Sequence, residues 1–270
     1  MNDAFKQLLV DHHLYRHYVY FLQYIVIAEF CLEDKNSIDV GCSRGQNTFA
    51  MAKKSQKVYA FDPLTDLLDS LKNKPNLDNF LDYLIWPNVN LLDKVIYRNA
   101  ALGNHNEVKD FFVYEKRSRS RFNKLDDDST LVDKIEIEIK KLDEFNITDV
   151  SFIKINTEGY DYKVIEGAET LIKNQQPFIM SEFVSDELPF SQQDLTLINN
   201  LNYTYYRLIS EFNNLEFILF YPVDKDISNL KEKIEKYNLF WVDKVSAILR
   251  NEKRLNQFKL ELVNYFKEYY

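Results

Sequence analysis

Glycine is scarce in this 270-residue chain, which holds only Gly41, Gly45, Gly103, Gly159 and Gly167. An average chain of this length carries about 19. A glycine kept against that background marks a place where a side chain would obstruct the backbone. Cysteine and histidine are scarce too, with two and four residues. Cys31 and Cys42 make no metal or disulfide pattern and fit a reducing compartment. Without a Cys/His spacing, a zinc site has nothing to build it. Of His12, His13 and His17, only His13 and His17 share a helical face. They read as surface or half-buried histidines. Long apolar runs are missing as well. Val19 to Leu32 is broken by Gln23 and Glu29, and a membrane span needs about 20 apolar residues. The amino terminus lacks the basic-then-apolar plan of a signal peptide. The expectation is a cytoplasmic protein with no transmembrane segment. Its net charge of −8 argues against wholesale binding to nucleic acid.

Apolar residues are plentiful at 46%, and 20 Phe and 18 Tyr supply a large core. Their pattern alternates between strand and helix periods. Helices are predicted over 4–30, 45–54, 64–73, 141–146, 161–173 and 190–201. Strands are predicted over 37–42, 57–62, 94–99, 108–114, 134–140, 151–156 and 177–183. A hairpin of 203–209 with 215–221 closes the series. Strands 108–114 and 134–140 read as a pair around a polar insert, the second with one solvated face. Strands alternating with helices imply an α/β fold with a mostly parallel sheet and right-handed crossovers. Residues 225–270 are charged, apolar-striped and free of glycine and proline, a helical segment packing on the sheet or on a second subunit.

Four of the five glycines mark two strand-to-helix junctions. In Ile38-Asp39-Val40-Gly41-Cys42-Ser43-Arg44-Gly45, Gly41 lets the chain turn close to a ligand. Gly45 opens a helix whose free N–H groups face that ligand. Asp39 is placed to accept from a ligand ammonium, and Asp62, ending the next strand, to bind ribose hydroxyls. A dinucleotide fingerprint needs G-x-G-x-x-G, but the second and third places hold Ser43 and Gln46. A phosphate loop ending in Gly-Lys-Ser/Thr is absent too. A nucleoside with a charged amino-acid tail, S-adenosyl-L-methionine, fits better. The second junction is Ile153-Lys154-Ile155-Asn156-Thr157-Glu158-Gly159, with Gly167 further along.

These runs, with Ala60-Phe61-Asp62-Pro63, Asn99-Ala100-Ala101-Leu102-Gly103-Asn104 and Lys140-Lys141-Leu142-Asp143-Glu144-Phe145, resemble the FkbM-type methyltransferases over residues 36 to 183. The most specific part is Phe152 to Glu158 followed by Ile165-Glu166-Gly167-Ala168. The resemblance implies a class I methyltransferase fold, a Rossmann-like seven-stranded sheet with helices on both faces. It also implies O-methylation of a saccharide, glycolipid or other small hydroxylated acceptor. A lipid, a peptide or another metabolite is the alternative acceptor, and a non-catalytic S-adenosylmethionine-binding protein is the alternative class. By the resemblance, Asp39, Gly41, Cys42, Ser43 and Gly45 surround the methionine part and Asp62 holds the ribose. Asn99 and Ala100 lie by the adenine, and Asn156 and Glu158 stand beside the methyl group. Asn156, Ser43 and Tyr160 depart from the residues usual at those places.

An amide is no base at neutral pH, so the base must be another group than Asn156. Glu158, Asp161 and Glu182 are the candidates, with Glu158 nearest and Asp161 the next acid in sequence. Glu158 is equally able to favour the start of the following helix by its charge. Tyr160 reads either as narrowing the acceptor pocket or as a packed aromatic. The insert 115–124 carries Lys116, Arg117, Arg119, Arg121 and Lys124, so Arg117 and Arg119 are candidates for an anionic part of the acceptor. The other reading is a solvated loop neutralised by Asp126, Asp127 and Asp128. The expected organisation is a helical addition over 1–34, the methyltransferase domain over 35–222 and a second helical addition over 223–270. A homodimer through the additions is compatible with it.

Overall fold

A computed structural model describes residues 14–73, 91–125, 130–184, 191–209 and 215–250, with residues 258, 261, 264 and 265. His12, His13, the side chain of His17, Asp126 to Asp128 and most of 251–270 lie outside the described residues.

Strand β1 (Asn36–Val40) is buried at every position and lies in the interior of the main sheet. Beside it lie β2 (Val58–Asp62) and β3 (Val95–Asn99) on one side, and β7 (Val150–Ile155) and β8 (Phe178–Val184) on the other. These five run parallel. Strand β10 (Leu215–Pro222) pairs antiparallel with β8 and with β9 (Tyr203–Ile209), giving the order β3-β2-β1-β7-β8-β10-β9. The expected seven-stranded, mostly parallel sheet is present. Its order reverses between β1 and β7, the position where α/β sheets open a ligand crevice.

Both faces are covered. Helices α1 (Leu14–Phe30), α2 (Gln46–Lys54) and α7 (Ser228–Arg250) share one core with the sheet, built on Phe21, Ile25, Phe49, Met51, Tyr237 and Trp241. Thus α1 and α7 pack on each other as well as on the sheet; Tyr18 stacks on Tyr237 with ring centroids 5.4 Å apart. On the opposite face, α4 (Asp161–Glu166), α5 (Glu169–Gln175) and α6 (Gln192–Asn200) bury Val164, Ile165, Ile172 and Ile198 against Ile38, Val40 and Ile153. Among the described residues, no helix is long and apolar enough to cross a membrane.

A second sheet stands apart, in the order β4-β6-β5, from β4 (Ala101–Leu102), β5 (Glu107–Tyr114) and β6 (Leu131–Lys140). The expected pairing of β5 with β6 is antiparallel from Glu107 opposite Ile139 onward. Glu136 and Glu138 are exposed and Ile139 is buried, as strict alternation demands. Two-residue β4 is too short to show a period in the sequence. This sheet, with α3 (Thr65–Asn73), forms a third core of Leu64, Leu67, Phe111, Val113, Phe122, Ile139 and Tyr160.

Two helix expectations change. Segment 141–146 is a single 3-10 turn, Leu142–Phe145. Segment 161–173 is two helices, broken at Gly167-Ala168. Close approach keeps residue 167 a glycine, and Asp143 takes the backbone bonds of the break. A Cβ on Gly167 would lie 1.9 Å from the Gly103 carbonyl oxygen. The Gly167 carbonyl turns out to accept from Asp143 N at 3.0 Å. Asp143 in turn caps α5, accepting from Thr170 N and Leu171 N, both at 2.9 Å. A side chain from the preceding turn thus supplies the cap that α5 lacks locally. Asp143→Ala is expected to cost about 1–2 kcal/mol, read as a lower urea midpoint at unchanged slope.

Candidate active site

One open cleft of about 650 Å³, counting the part open to solvent, lies at the carboxyl ends of β1, β2 and β7. Its floor is Val40, Gly41, Ser43, Phe61, Asp62, Asn156, Thr157 and Glu158. The small sheet and α3 close the other side with Leu67, Ala101, Leu102, Phe111, Phe122, Ser120 and Arg117.

Two loops form the floor. After β1 the chain turns at Gly41, φ 72°, where a Cβ would sit 1.9 Å from the Asn156 carbonyl oxygen. Only glycine lets the two loops meet. Ser43 and Glu158 are left-handed at φ 47° and 56°. Among the described residues, the other non-glycine ones of this kind are Asn146, Asp149 and Asn202, whose type tolerates it, and Gln176 at the end of α5. A serine and a glutamate held this way at both cleft loops mark local strain at the site.

Beneath the loops lies a charge network. Register sets Asp39 of β1 beside Lys154 of β7, and the Lys154 ammonium is 3.2 Å from Asp39 Oδ1. It also donates to the Gly41 carbonyl at 3.1 Å. Burial pulls the Lys154 ammonium down, but the charges of Asp39 and Glu182 outweigh it and the net shift is upward. Thr48 Oγ1 donates to Asp39 Oδ2 at 2.6 Å. Asp161 accepts from Ser181 Oγ at 2.7 Å and from Thr157 Oγ1 at 2.8 Å. Asn156 Nδ2 donates to Glu182 Oε2 at 2.7 Å. Burial raises Glu182 to about 7, with Lys154 pulling the other way. Asp62 is lifted to about 6 by burial, against the Leu64 and Ser43 N–H groups that donate to it at 3.0 and 2.9 Å. Glu158 is raised by burial and pulled down by Arg121, with which it forms an ion pair.

The predicted site residues therefore divide. Gly41, Ser43, Asp62, Ala100, Asn156, Glu158 and Arg117 line the cleft. Several others are placed elsewhere. Asp39 is fully buried and committed to Lys154 and Thr48, so it is not free for a ligand ammonium. Cys42 points into the α1–α2 core, its thiol raised by burial. Gly45 is the N-cap of α2. Asn99 is turned to the backbone, donating to the Asp62 and Pro63 carbonyls at 3.1 and 2.9 Å. Asp161 has both oxygens engaged within the protein and serves as a brace for Thr157. Glu182 lies behind Asn156, outside the cleft lining. Tyr160 is packed: its ring lies 4.7 Å from that of Phe122, and its hydroxyl donates to Glu107. Arg119 stacks over Tyr114 instead of entering the cleft. Lys154, the hub, stands in the Phe152-Ile153-Lys154-Ile155 run, the one signal in the sequence that marks it. No local pattern assigns the apolar wall of Phe111 and Phe122 to a cleft.

Residues 39–218 match the Methyltransferase FkbM domain. The chain belongs to that family. The family and the seven-stranded order give a class I methyltransferase fold with S-adenosylmethionine as cofactor. The chain is similar in structure to an FkbM methyltransferase from Methylobacillus flagellatus, at 16% identity and a TM-score of 0.47 over 70% of this chain and 44% of that one. The matched part is thus less than half the length of that protein. A Streptococcus thermophilus rRNA methylase aligns at 12% identity and a TM-score of 0.42 over 74% and 94% of the two chains. The magnesium protoporphyrin IX methyltransferase of Synechocystis, solved with bound S-adenosylmethionine, aligns at 10% and 0.40 over 82% and 86%. No curated protein matches the sequence.

The residues present suit the cofactor. A nearly buried carboxylate, Asp62, lines a slot whose other walls are Phe61, Pro63, Leu64, Ala100 and Leu102. That combination is an acceptor for hydroxyl donors next to an apolar berth for a heterocycle. No side chain caps α2 beside it.

Glu182 makes the site's energetics measurable. Its folded value, about 7, stands above the ordinary 4.5. Between the two, the folded state holds a proton that the unfolded chain has lost, so stability falls as pH rises through this window. Asp62 acts in the same sense. Glu182→Gln keeps an acceptor for Asn156 and removes the titration. Its stability relative to wild type is expected to rise between pH 4.5 and 7.5 in urea titrations. A difference that is flat with pH would contradict the burial of an ionising group there.

Proposed function

We propose that this chain is an S-adenosylmethionine-dependent O-methyltransferase acting on a hydroxyl of a saccharide or glycoconjugate. The observation that carries the reading is that one cleft joins two unlike halves. Asp62, Gly41, Ser43 and Ala100 suit a nucleoside and its amino-acid tail. Glu158, Asn156 and Arg117 suit a polar acceptor. The cofactor, when bound, supplies an electrophilic methyl group on a positively charged sulfur. The protein then has to bind, orient and accept one proton.

In this reading Asp62 holds the ribose hydroxyls and Ala100 lies along the adenine. Gly41 lets the loop approach the methionine part, its carbonyl held by Lys154. Asn156 spends Nδ2 on Glu182, which leaves Oδ1 to receive a donor in the cleft. That makes it an orienting group for the acceptor hydroxyl or the cofactor amine. Glu158 is the carboxylate of the cleft's acceptor half and takes the hydroxyl's proton as the oxygen is alkylated. Burial raises its affinity for a proton, which suits a base acting late on a weak acid. Positioning of the hydroxyl at about 3–3.5 Å from the methyl group supplies much of the remaining acceleration. The family match at 39–218 falls inside the domain proposed for 35–222. The two buried free thiols support a cytoplasmic, reducing location.

Two measurements test the reading. Calorimetry is expected to show binding of S-adenosylmethionine and none of NAD, with Asp62→Ala weakening it by about 2–3 kcal/mol through two lost hydrogen bonds to a charged acceptor. Transfer of labelled methyl groups to a panel of sugar nucleotides and glycans is expected to label a hydroxyl. Glu158→Gln should lower that turnover by about 10² to 10⁴ with cofactor affinity nearly unchanged. Full turnover in Glu158→Gln would remove Glu158 from the role.

A further inference from the structure

The β5–β6 connection brings positive charge to the acceptor side of the cleft. Arg117 lines it, with Nε on Asp66 at 3.0 Å and Nη1 on the Tyr114 carbonyl at 3.1 Å. Arg121 is anchored through its backbone. Its backbone exchanges hydrogen bonds with Phe112 at 2.9 and 3.1 Å. Its Nε donates to the Arg119 carbonyl at 3.1 Å, and Nη2 ends on the Glu158 carboxylate. Lys116 adds its field at Glu158.

The Arg121–Glu158 pair differs in kind from the Lys154–Asp39 pair below it. Lys154 and Asp39 are 5% and 0% exposed, whereas Arg121 and Glu158 are 22% and 24% exposed. The upper pair is within reach of a ligand, and the lower one is not. It also closes the group that the proposed reaction needs. A carboxylate neutralised by a guanidinium is a weaker base, and one of its oxygens is occupied. Something must draw the arginine away, and a neutral sugar has no charge with which to do so. A phosphoryl group has. It presents two negative charges and several acceptor oxygens to a planar fork that binds it through paired hydrogen bonds.

We propose that the acceptor carries a phosphoryl group, that Arg117 and Arg121 bind it, and that moving Arg121 onto it frees Glu158. This rests on the methyltransferase reading above and extends it to the substrate class and the trigger. The chemical balance is simple. The acceptor oxygen forms a bond to the methyl carbon, the carbon–sulfur bond breaks with its electron pair left on sulfur, and the hydroxyl proton goes to Glu158. Losing its cation raises the proton affinity of Glu158 at the moment it is needed, since Arg121 is the main influence holding it down. An acceptor without the anionic group leaves the pair closed, so the same contact that binds the substrate also discriminates for it.

Sulfate serves as a doubly charged tetrahedral probe and needs neither cofactor nor turnover. It is titrated by calorimetry at low ionic strength into the full chain, Glu158→Gln and Arg121→Gln, each checked for a cooperative melt. Glu158→Gln is expected to bind sulfate about tenfold more tightly than wild type, because nothing competes for Arg121. Arg121→Gln should bind at least tenfold more weakly. In wild-type protein the Arg121 Nε–H resonance should shift as sulfate is added, a readout that depends on no variant. The proposal is overturned if Glu158→Gln binds no more tightly than wild type, if Arg121→Gln binds equally well, or if the resonance stays still. Those results would make the pair a structural tie and leave the methyltransferase reading intact. A failure of that reading would instead appear as absent S-adenosylmethionine binding.

Discussion

The Lys154 ammonium is the contact on which the site depends. It is buried in the central sheet, beside Asp39 by strand register, with Glu182, Asp62, Asp161 and Glu158 all within its field. Five carboxylates gathered at the ends of four adjacent strands, β2, β1, β7 and β8, would repel one another and resist burial. A single internal cation offsets part of that cost. Its worth is organisational, because a buried pair seldom adds net stability over apolar packing, while removing one member leaves the other uncompensated. The same ammonium fixes the Gly41 carbonyl, so the charge network and the cofactor loop are one construction.

Above this network, each loop is braced from within. Asp161 ties Thr157 to Ser181, and Asp62 ties Ser43 to Leu64. These bonds hold Ser43 and Glu158 in backbone conformations that neither residue adopts readily. The site is therefore preorganised where the cofactor and the reacting atoms are expected. The small sheet supplies the opposite wall, and Arg121 on Glu158 is a polar contact that joins wall to floor. The floor is rigid through buried charge, whereas the join is partly open to solvent. On the proposal above, substrate-dependent change is concentrated at the join.

Much of this was legible in the residues themselves. Apolar periodicity placed nearly every strand within three residues, because burial on one or both faces leaves a period that composition cannot hide. The scarce glycines pointed to both cleft loops, since only a residue without Cβ lets the Gly41 and Asn156 backbones meet. Asp62 and Glu158 were identified because acids ending parallel strands, or following them on loops, face the crevice. Strand β4 and the break at Gly167 were not legible. Two residues show no period, and the break answers to Asp143, which lies in a separate turn and takes the Gly167 carbonyl and the Leu171 N–H.

The sequence by itself determined the alternation of elements, the location of the two functional loops and the residue types available to them. Tertiary structure decided which of those residues face the cleft. Asp39 and Asp62 both belong to acid-bearing strand ends, yet one meets a lysine and the other the cavity, because register against β7 gives Asp39 a partner. Glu158 and Asp161 lie three residues apart, yet one reaches the cleft and the other braces it, because helix α4 turns Asp161 inward. Residue type fixes what a side chain is able to do, and only the packing of distant segments fixes what it is set against.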